Sequence, residues 1–230
     1  MAGLPLAREA LASDTLAAAG RLIGTRLVRE DELGVRVGRI VEVEAYIGAD
    51  DLASHARFGR TGRNAVMFGP PGRAYVYLVY GMYECLNVVT EPEGQPAALL
   101  VRAIEPLAGI ELMRRARLDW IDARYARRSP DSRAAARRRV LEMPASALAS
   151  GPGLACAAFS ILRTHDGLDL CDAASPLRLE AAPADTPGPR VASGPRIGIG
   201  YAAEPWLSKP WRFWAEGSRA VSAGTEATPR

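Results

Sequence analysis

Six residues in the first quarter of the chain alternate apolar and polar side chains: Val41-Glu42-Val43-Glu44-Ala45-Tyr46. A period of two is that of a β-strand, whose successive side chains leave on opposite faces. The pattern therefore predicts a strand with Glu42, Glu44 and Tyr46 on one face and Val41, Val43 and Ala45 on the other. Two carboxylates and a phenol on one face admit two readings. The face is solvated, as on any half-exposed strand, or it lines a site that keeps a carboxylate for chemistry.

The flanking segments extend a sheet. Ser13-Asp14-Thr15 can cap a helix running to about Ile23. Residues 25–29 and 35–46 read as strands around a turn at 31–34. Residues 74–79 and 84–90 read as two more around Tyr80-Gly81-Met82-Tyr83, a hairpin, and 97–104 continues the sheet. Pro106, suited to a first helical turn, is expected to open a helix through about Leu118. The arginine-dense stretch 123–139 has a mobile look, and 154–161 reads as helical after the Ser150-Gly151-Pro152-Gly153 turn. Residues 168–170, 177–180 and 196–201 are expected as short strands, with a Pro/Ala/Gly loop over 183–195. The expectation is an α+β class: a single mixed domain over 13–218 with a curved, mostly antiparallel β-sheet, a protruding hairpin and surrounding helices. Residues 1–12 are expected to be flexible and 219–230 to form a disordered tail.

At 230 residues the chain is long enough to bury a real core. No apolar run approaches the roughly 20 residues of a membrane span, and the N-terminal stretch makes a poor signal peptide. A cytoplasmic protein without membrane contact is expected, nucleoid-associated in a bacterium. Cys85, Cys156 and Cys171 are widely spaced and contain no Cys-x-x-Cys pair, so neither a disulfide framework nor a zinc site follows. No metal and no cofactor are expected. A net charge of +3 favours nucleic acid only weakly, but Lys209 is the only lysine, so nearly every cation is arginine.

Beyond the acidic strand lies a Gly- and Arg-rich loop holding His55, Arg57, Arg60, Arg63 and Asn64. An acidic face beside a basic loop suits a site that binds a polyanion while keeping one carboxylate inside. His55 alone would more often be a structural histidine. Tyr75, Tyr77, Tyr80 and Tyr83 fall within nine residues. Strand aromatics usually pack, but an aromatic at a hairpin tip can wedge between base pairs and offset the few kcal/mol of unstacking needed to extrude a nucleotide.

Together these segments resemble the alkyladenine (3-methyladenine) DNA glycosylase family. The resemblance runs from Gly38–Tyr46 through Ser54-His55, Arg63-Asn64, Met67-Phe68, Tyr75-Val76-Tyr77, Tyr80–Tyr83, Leu86-Asn87 and Arg102-Ala103 to Ser150-Gly151-Pro152, Arg196–Gly200 and Lys209-Pro210. It implies Glu44 as the general base that activates water, and Tyr46, His55 and Tyr77 as the pocket for a flipped base. Asn87 matches a pocket-floor position that disfavours normal guanine, and the Ile197 backbone a position facing the flipped base. Tyr80 matches the intercalating residue, with Met82 and Tyr83 beside it on the DNA-binding hairpin. Arg60, Arg63 and Asn64 fall on the DNA-binding loop, and Arg102 matches a position near the active-site phosphates. The implied partner is double-stranded DNA containing damaged purines: 3-methyladenine and 7-methylguanine, with hypoxanthine and ethenoadenine as further candidates. The implied fold resembles the C-terminal domain of methionyl-tRNA formyltransferase, and a monomer is expected.

The chemistry agrees. An N-glycosidic bond breaks through an oxocarbenium-like state that one carboxylate can stabilise while it deprotonates water. A leaving group that is already cationic needs no second acid, and an aromatic cage attracts it by cation–π interaction. Strand nicking through a Schiff base needs an amine, and Lys209 is remote in sequence from Glu44, so a monofunctional enzyme is expected. Two positions depart from the family pattern: Gly153-Leu154 stands where a backbone-holding lysine is common, and Tyr201 where a histidine is common; the arginine-rich segment 123–139 also has little counterpart, and it either grips phosphates or is a solvated helix. Three other readings stay open. These are a glycosylase specialised for one lesion, a non-catalytic nucleic-acid-binding module of the same fold, and a carbohydrate hydrolase using Glu42 and Glu44 as a pair.

Overall fold

In a computed structural model describing residues 3–79 and 81–222, the acidic segment lies in β2 (Gly34–Ile47), a 14-residue strand at the centre of the sheet. β2 turns back from β1 (Arg26–Asp31) and pairs along its other edge with β5 (Ala97–Ala108). Past Arg39, where β1 ends, the vacated edge of β2 is taken by β8 (Arg212–Ala215) opposite Glu42, Val43 and Glu44. β3 (Ala74–Val79) and β4 (Tyr83–Val89) form a hairpin that joins β5 through Asn87 and Leu100. β6 (Leu177–Glu180) closes onto β1, and β7 (Val191–Gly194) onto β8. All these pairings are antiparallel, with the main path running β3-β4-β5-β2-β1-β6. The architecture is an α+β domain.

Because β2 has partners on both edges and helices over it, its alternation separates two buried environments rather than inside from outside. Val41, Val43 and Ala45 are fully buried in the main core with Leu99, Val101 and Ile104. Against them lies α1 (Thr15–Leu22), whose Asp14 side chain accepts from the Ala17 amide at 2.9 Å and whose Ala18, Ala19 and Leu22 face inward. Burying a leucine of this kind contributes roughly 1.5–3 kcal/mol. Glu42 and Glu44 are also sealed at 0% exposure, so the solvated-face reading is excluded. A β-bulge shifts the β2–β5 register between Ile40 and Val43, at the point where the strand must carry two carboxylates inward.

Elsewhere the structure corrects the expectations. Pro106 sits inside β5, near its end; opposite Gly38 its missing N–H costs little at a strand edge. The turn comes instead at Gly109, whose φ of 73° and close approach to the Val35 carbonyl oxygen (2.4 Å from an added Cβ) demand glycine. α2 (Ile110–Arg124) follows. The stretch expected to be mobile holds the end of α2 and most of α3 (Pro130–Glu142), which Ser129 caps and Pro130 opens. After α4 (Pro152–Ala158), residues 168–170 form only a bridge between Arg73 and Asp169, and 196–201 are turns. β7 lies within the expected 183–195 loop, and β8 was not anticipated. The N-terminal stretch expected to be flexible is docked: Pro5 bridges Glu180, and Leu6 and Leu11 are buried. Of the expected tail, Ala220 and Ser222 are buried, whereas 223–230 lie outside the described residues. Among the described residues, no helix is long and apolar enough to cross a membrane.

Candidate active site

The two β2 carboxylates converge on Arg102, which β5 presents from the neighbouring strand. Arg102 Nε donates to Glu42 Oε1 at 2.9 Å, and its Nη1 lies 3.2 Å from Glu44 Oε1. Glu44 gains two further donors. The Ile197 backbone N–H donates to Oε1 at 2.7 Å and the Tyr46 hydroxyl to Oε2 at 2.9 Å. Burial pushes the Glu44 carboxyl above its ordinary range, while Arg102, the Ile197 amide and the Tyr46 hydroxyl oppose that rise. Burial and the Glu44 charge hold the Tyr46 phenol well above its ordinary range, so it stays a donor. Glu42 is tied to the end of the described chain, with Ser222 donating from both its backbone N–H (2.7 Å) and its hydroxyl (2.9 Å).

The Ile197 amide is aimed by a group that sequence reasoning missed. Arg196 and Asp51 form a doubly hydrogen-bonded ion pair at 2.6 and 2.9 Å, with both side chains at 0% exposure. Arg196 also donates to the Ala45 carbonyl at 2.8 Å and lies over the rings of Tyr46 and Trp211. This clamp fixes residue 197 against β2. Planar two-point geometry of this kind holds orientation as well as charge.

Of the partners of Glu44, Tyr46 alone lines an open cleft. Its aromatic wall is His55, Tyr75 and Tyr77; its floor includes Asn87, Met67 and Ala98; Ala53 and Tyr201 complete the rim. His55 meets Tyr77 edge-to-face with ring centres 4.6 Å apart, and its Nδ1 is hydrogen-bonded to the Tyr75 hydroxyl at 2.8 Å. Burial and the nearby Arg63 and Arg57 guanidinium groups lower the His55 pKa to about 4, so the ring is neutral at pH 7. Asn87 is buried and donates to the Tyr75 carbonyl at 3.1 Å. The wall is thus made of neutral π-faces around one buried carboxylate. Among the described residues, no group of three or more His, Cys, Asp and Glu side chains is placed to hold a metal ion.

Residues 9–219 match the methylpurine-DNA glycosylase family. The chain belongs to that family. It is 45% identical over 217 residues to a protein of Methanocella arvoryzae named "Putative 3-methyladenine DNA glycosylase", covering 94% of this chain and 95% of that one. Proteins of the same name from Anaeromyxobacter dehalogenans (strain 2CP-C) and Bacillus cereus (strain G9842) are 45% and 43% identical. Those matches cover 92% and 91% of this chain and 83% and 94% of the relatives. Family membership makes the chain a DNA glycosylase, a hydrolase of N-glycosyl bonds in DNA repair.

Within this glycosylase the residues singled out from sequence fall into three groups. Glu44, Tyr46, His55, Tyr77, Asn87 and the Ile197 amide are brought together at the cleft or directly beneath it. Arg60, Arg63 and Met82 are exposed, with Arg63 5.6 Å over the Tyr77 ring. The third group is buried or half-buried. Arg102 is 7% exposed and pairs with the two buried carboxylates. Asn64 is also buried: its amide donates to the His55 and Gly59 carbonyls and accepts from Thr61, which fixes the loop behind His55. Tyr83 stacks on Trp120 with ring centres 4.9 Å apart. Tyr80 lies outside the described residues.

Both departures have local explanations. A Cβ at Gly153 would come within 2.4–2.8 Å of the Tyr83 ring and side chain, so this position carries packing instead of a basic side chain. The Tyr201 hydroxyl donates to the Ala53 carbonyl at 3.2 Å across the cleft rim. Tyr75, noted in the sequence among the clustered tyrosines, was given no role there, and Asp51 and Ser222 were not singled out. Asp51 sits in an acidic turn with no periodic signal, and Ser222 fell within the expected tail.

Proposed function

We propose that this glycosylase captures a damaged purine, turned out of the duplex, in the cleft walled by Tyr46, His55 and Tyr77, and hydrolyses its bond to deoxyribose with water activated by Glu44. The observation that carries the reading is the single buried carboxylate whose basicity is raised and whose neighbour Tyr46 opens onto an aromatic, uncharged cleft. Water attacks C1′ of the deoxyribose and gives its proton to Glu44, while the electron pair of the C1′–N bond leaves with the base. The negative charge of Glu44 also stabilises the oxocarbenium-like state between those events. Arg102 and the Ile197 amide hold the carboxylate in place, and water reaches it along Tyr46.

Neutral His55 and the protonated phenols make the wall suitable for an alkylated, positively charged purine. Each ring face left free contributes about 0.5–2 kcal/mol by cation–π attraction, with Arg63 already 5.6 Å over the Tyr77 ring and Arg196 4.8 Å over the Tyr46 ring. 3-Methyladenine and 7-methylguanine, cationic as bound, are therefore the expected substrates, and Asn87 on the floor discriminates at the purine edge. Lys209 supports a monofunctional reaction, since its ammonium lies over the rings of Trp206 (3.8 Å) and Trp211 (4.2 Å) and is held there.

Duplex oligonucleotides carrying 7-methylguanine, ethenoadenine or hypoxanthine at one site test this reading when incubated without metal and divided before hot alkali. Strand breaks only after alkali are expected, with 7-methylguanine among the substrates. Breaks without alkali would exclude the monofunctional mechanism. No breaks on any substrate by folded, DNA-binding protein would favour a non-catalytic binding module.

A further inference from the structure

The end of α2 is fastened to the hairpin turn between β3 and β4. Arg124 Nη1 donates to the Gly81 carbonyl at 3.0 Å, and its Nη2 pairs with Glu84 Oε1 at 3.1 Å. One turn earlier Trp120 stacks on Tyr83. The chain then makes a turn, exposed over 126–129, before α3 starts back along α2, where Arg137 pairs with Asp122. Residues 123–139 include seven arginines and one acid, Asp131.

Arg124 and Arg137 are used in those ion pairs. Arg127, Arg128 and Arg133 are exposed and have no carboxylate partner among the described residues; Arg128 lies over the Tyr125 ring at 5.8 Å. A merely solvated helical hairpin intersperses acids at helical spacing to relieve such repulsion. Here relief would have to come from an outside polyanion. Three or four residues reach at most about 10–14 Å, so Arg127 and Arg128 stand beside the guanidinium that touches Gly81.

We propose that the turn between α2 and α3 is a phosphate-gripping surface for duplex DNA, engaging the backbone next to the nucleotide met by the β3–β4 hairpin. The inference rests on the glycosylase reading for its partner, and it adds a DNA contact away from the cleft. Arginine suits this role because its planar fork binds phosphate oxygens at two points without reading sequence. The surface therefore strengthens binding to damaged and undamaged duplex alike and leaves bond cleavage untouched.

The test compares Arg127→Ser/Arg128→Ser with a charge-matched control, Arg21→Ser/Arg26→Ser, whose arginines line a separate cleft beside Pro183 and Pro189. Binding to an undamaged duplex and to its ethenoadenine counterpart is measured by anisotropy between about 50 and 200 mM salt. Each lost phosphate contact lowers the slope of log K against log salt by about 0.9. The Arg127/Arg128 variant is expected to lose about 1.8 from the slope on both duplexes, and addition of Arg133→Ser about 0.9 more. The control is expected to keep the wild-type slope. Single-turnover base release at saturating enzyme should match wild type in all variants. An unchanged slope in the Arg127/Arg128 variant, or an equal fall in the control, would overturn the proposal. Should wild type release no base at all, the glycosylase reading fails, while the slopes still decide whether this turn grips DNA.

Discussion

Glu42 and Glu44 stand two residues apart on β2, equally sealed from solvent and sharing Arg102, but their surroundings differ. Around Glu42, two arginines and both donors of Ser222 converge, so the carboxylate is a fastening point for the end of the described chain. Around Glu44 there is one guanidinium, one backbone amide and one phenol that also lines the cleft. Burial costs both carboxylates solvation. At Glu42 the compensation is structural and complete. At Glu44 it leaves a more basic group beside an opening. Burial alone therefore does not mark a catalytic carboxylate; burial with a partner that faces the substrate space does.

The sharpest way to break this comparison is to neutralise each carboxylate in turn. Glu44→Gln should slow single-turnover base release by about 10²–10⁴, the range of a lost general base, while lesion binding persists. Glu42→Gln should keep the rate within a few-fold and instead lower stability by about 1–3 kcal/mol in denaturant unfolding, because buried donors lose an ionised acceptor. Equal rate losses in the two variants would abolish the distinction.

Removing the shared arginine should affect both sites. Arg102→Ala removes the cation that the two buried carboxylates share, leaving them their remaining hydrogen-bond donors, and is expected to cost about 3–5 kcal/mol of stability. In the protein that remains folded, Glu44 loses a cation that favours its charged form, so its pKa rises further. Base release requires ionised Glu44, so the rate falls as pH drops through that pKa. The acid limb of the pH–rate profile should lie above the ordinary carboxylate range in wild type and move to higher pH in Arg102→Ala. Tyr46→Phe should move it in the same direction by less, since the phenol's hydrogen bond also favours the ionised form.

The loop behind the pocket gives a smaller effect. Asn64→Ala removes the amide that ties His55 and Gly59 to Thr61, and about 1–3 kcal/mol should be lost from lesion affinity or stability. Fluorescence binding titrations beside thermal melts separate the two. The smallest perturbation is a titration of the protein itself. His55, neutral in the pocket, should show an imidazole NMR pKa of about 4. A value near 6.5 would mean that the pocket carries a cation in mildly acid solution and would weaken the argument for cationic substrates.

How much of this was legible in sequence depended on how local the signal was. The period-two pattern gave β2 to within a residue or two, and the Asp14 cap and the β3–β4 turn were equally visible. Of the three four-residue strands β6 was expected from sequence while β7 and β8 were not, β7 because it lies in a Pro/Ala/Gly-rich stretch that reads as loop. Pro106 misled because a proline suited to a helix start is equally tolerated at a strand edge, and only the β2 pairing distinguishes the two. Glu44, Tyr46, His55, Tyr77 and Asn87 were named through family resemblance, with strand parity behind Glu44 and Tyr46, and the structure brings them to one cleft or directly beneath it. The inward roles of Arg102 and Asn64 were not found. An arginine between two glutamates one strand away, or an amide folded back on its own loop, has no linear signature. The Asp51–Arg196 clamp spans 145 residues of sequence and is visible only in three dimensions.

The most direct test of the central claim is single-turnover release of 7-methylguanine from a duplex by wild type and Glu44→Gln, with binding of the same duplex measured in parallel. The account predicts near-equal binding and release slowed at least about 100-fold in the variant. Release by Glu44→Gln at the wild-type rate would show that another group activates the water and would contradict the assignment of Glu44.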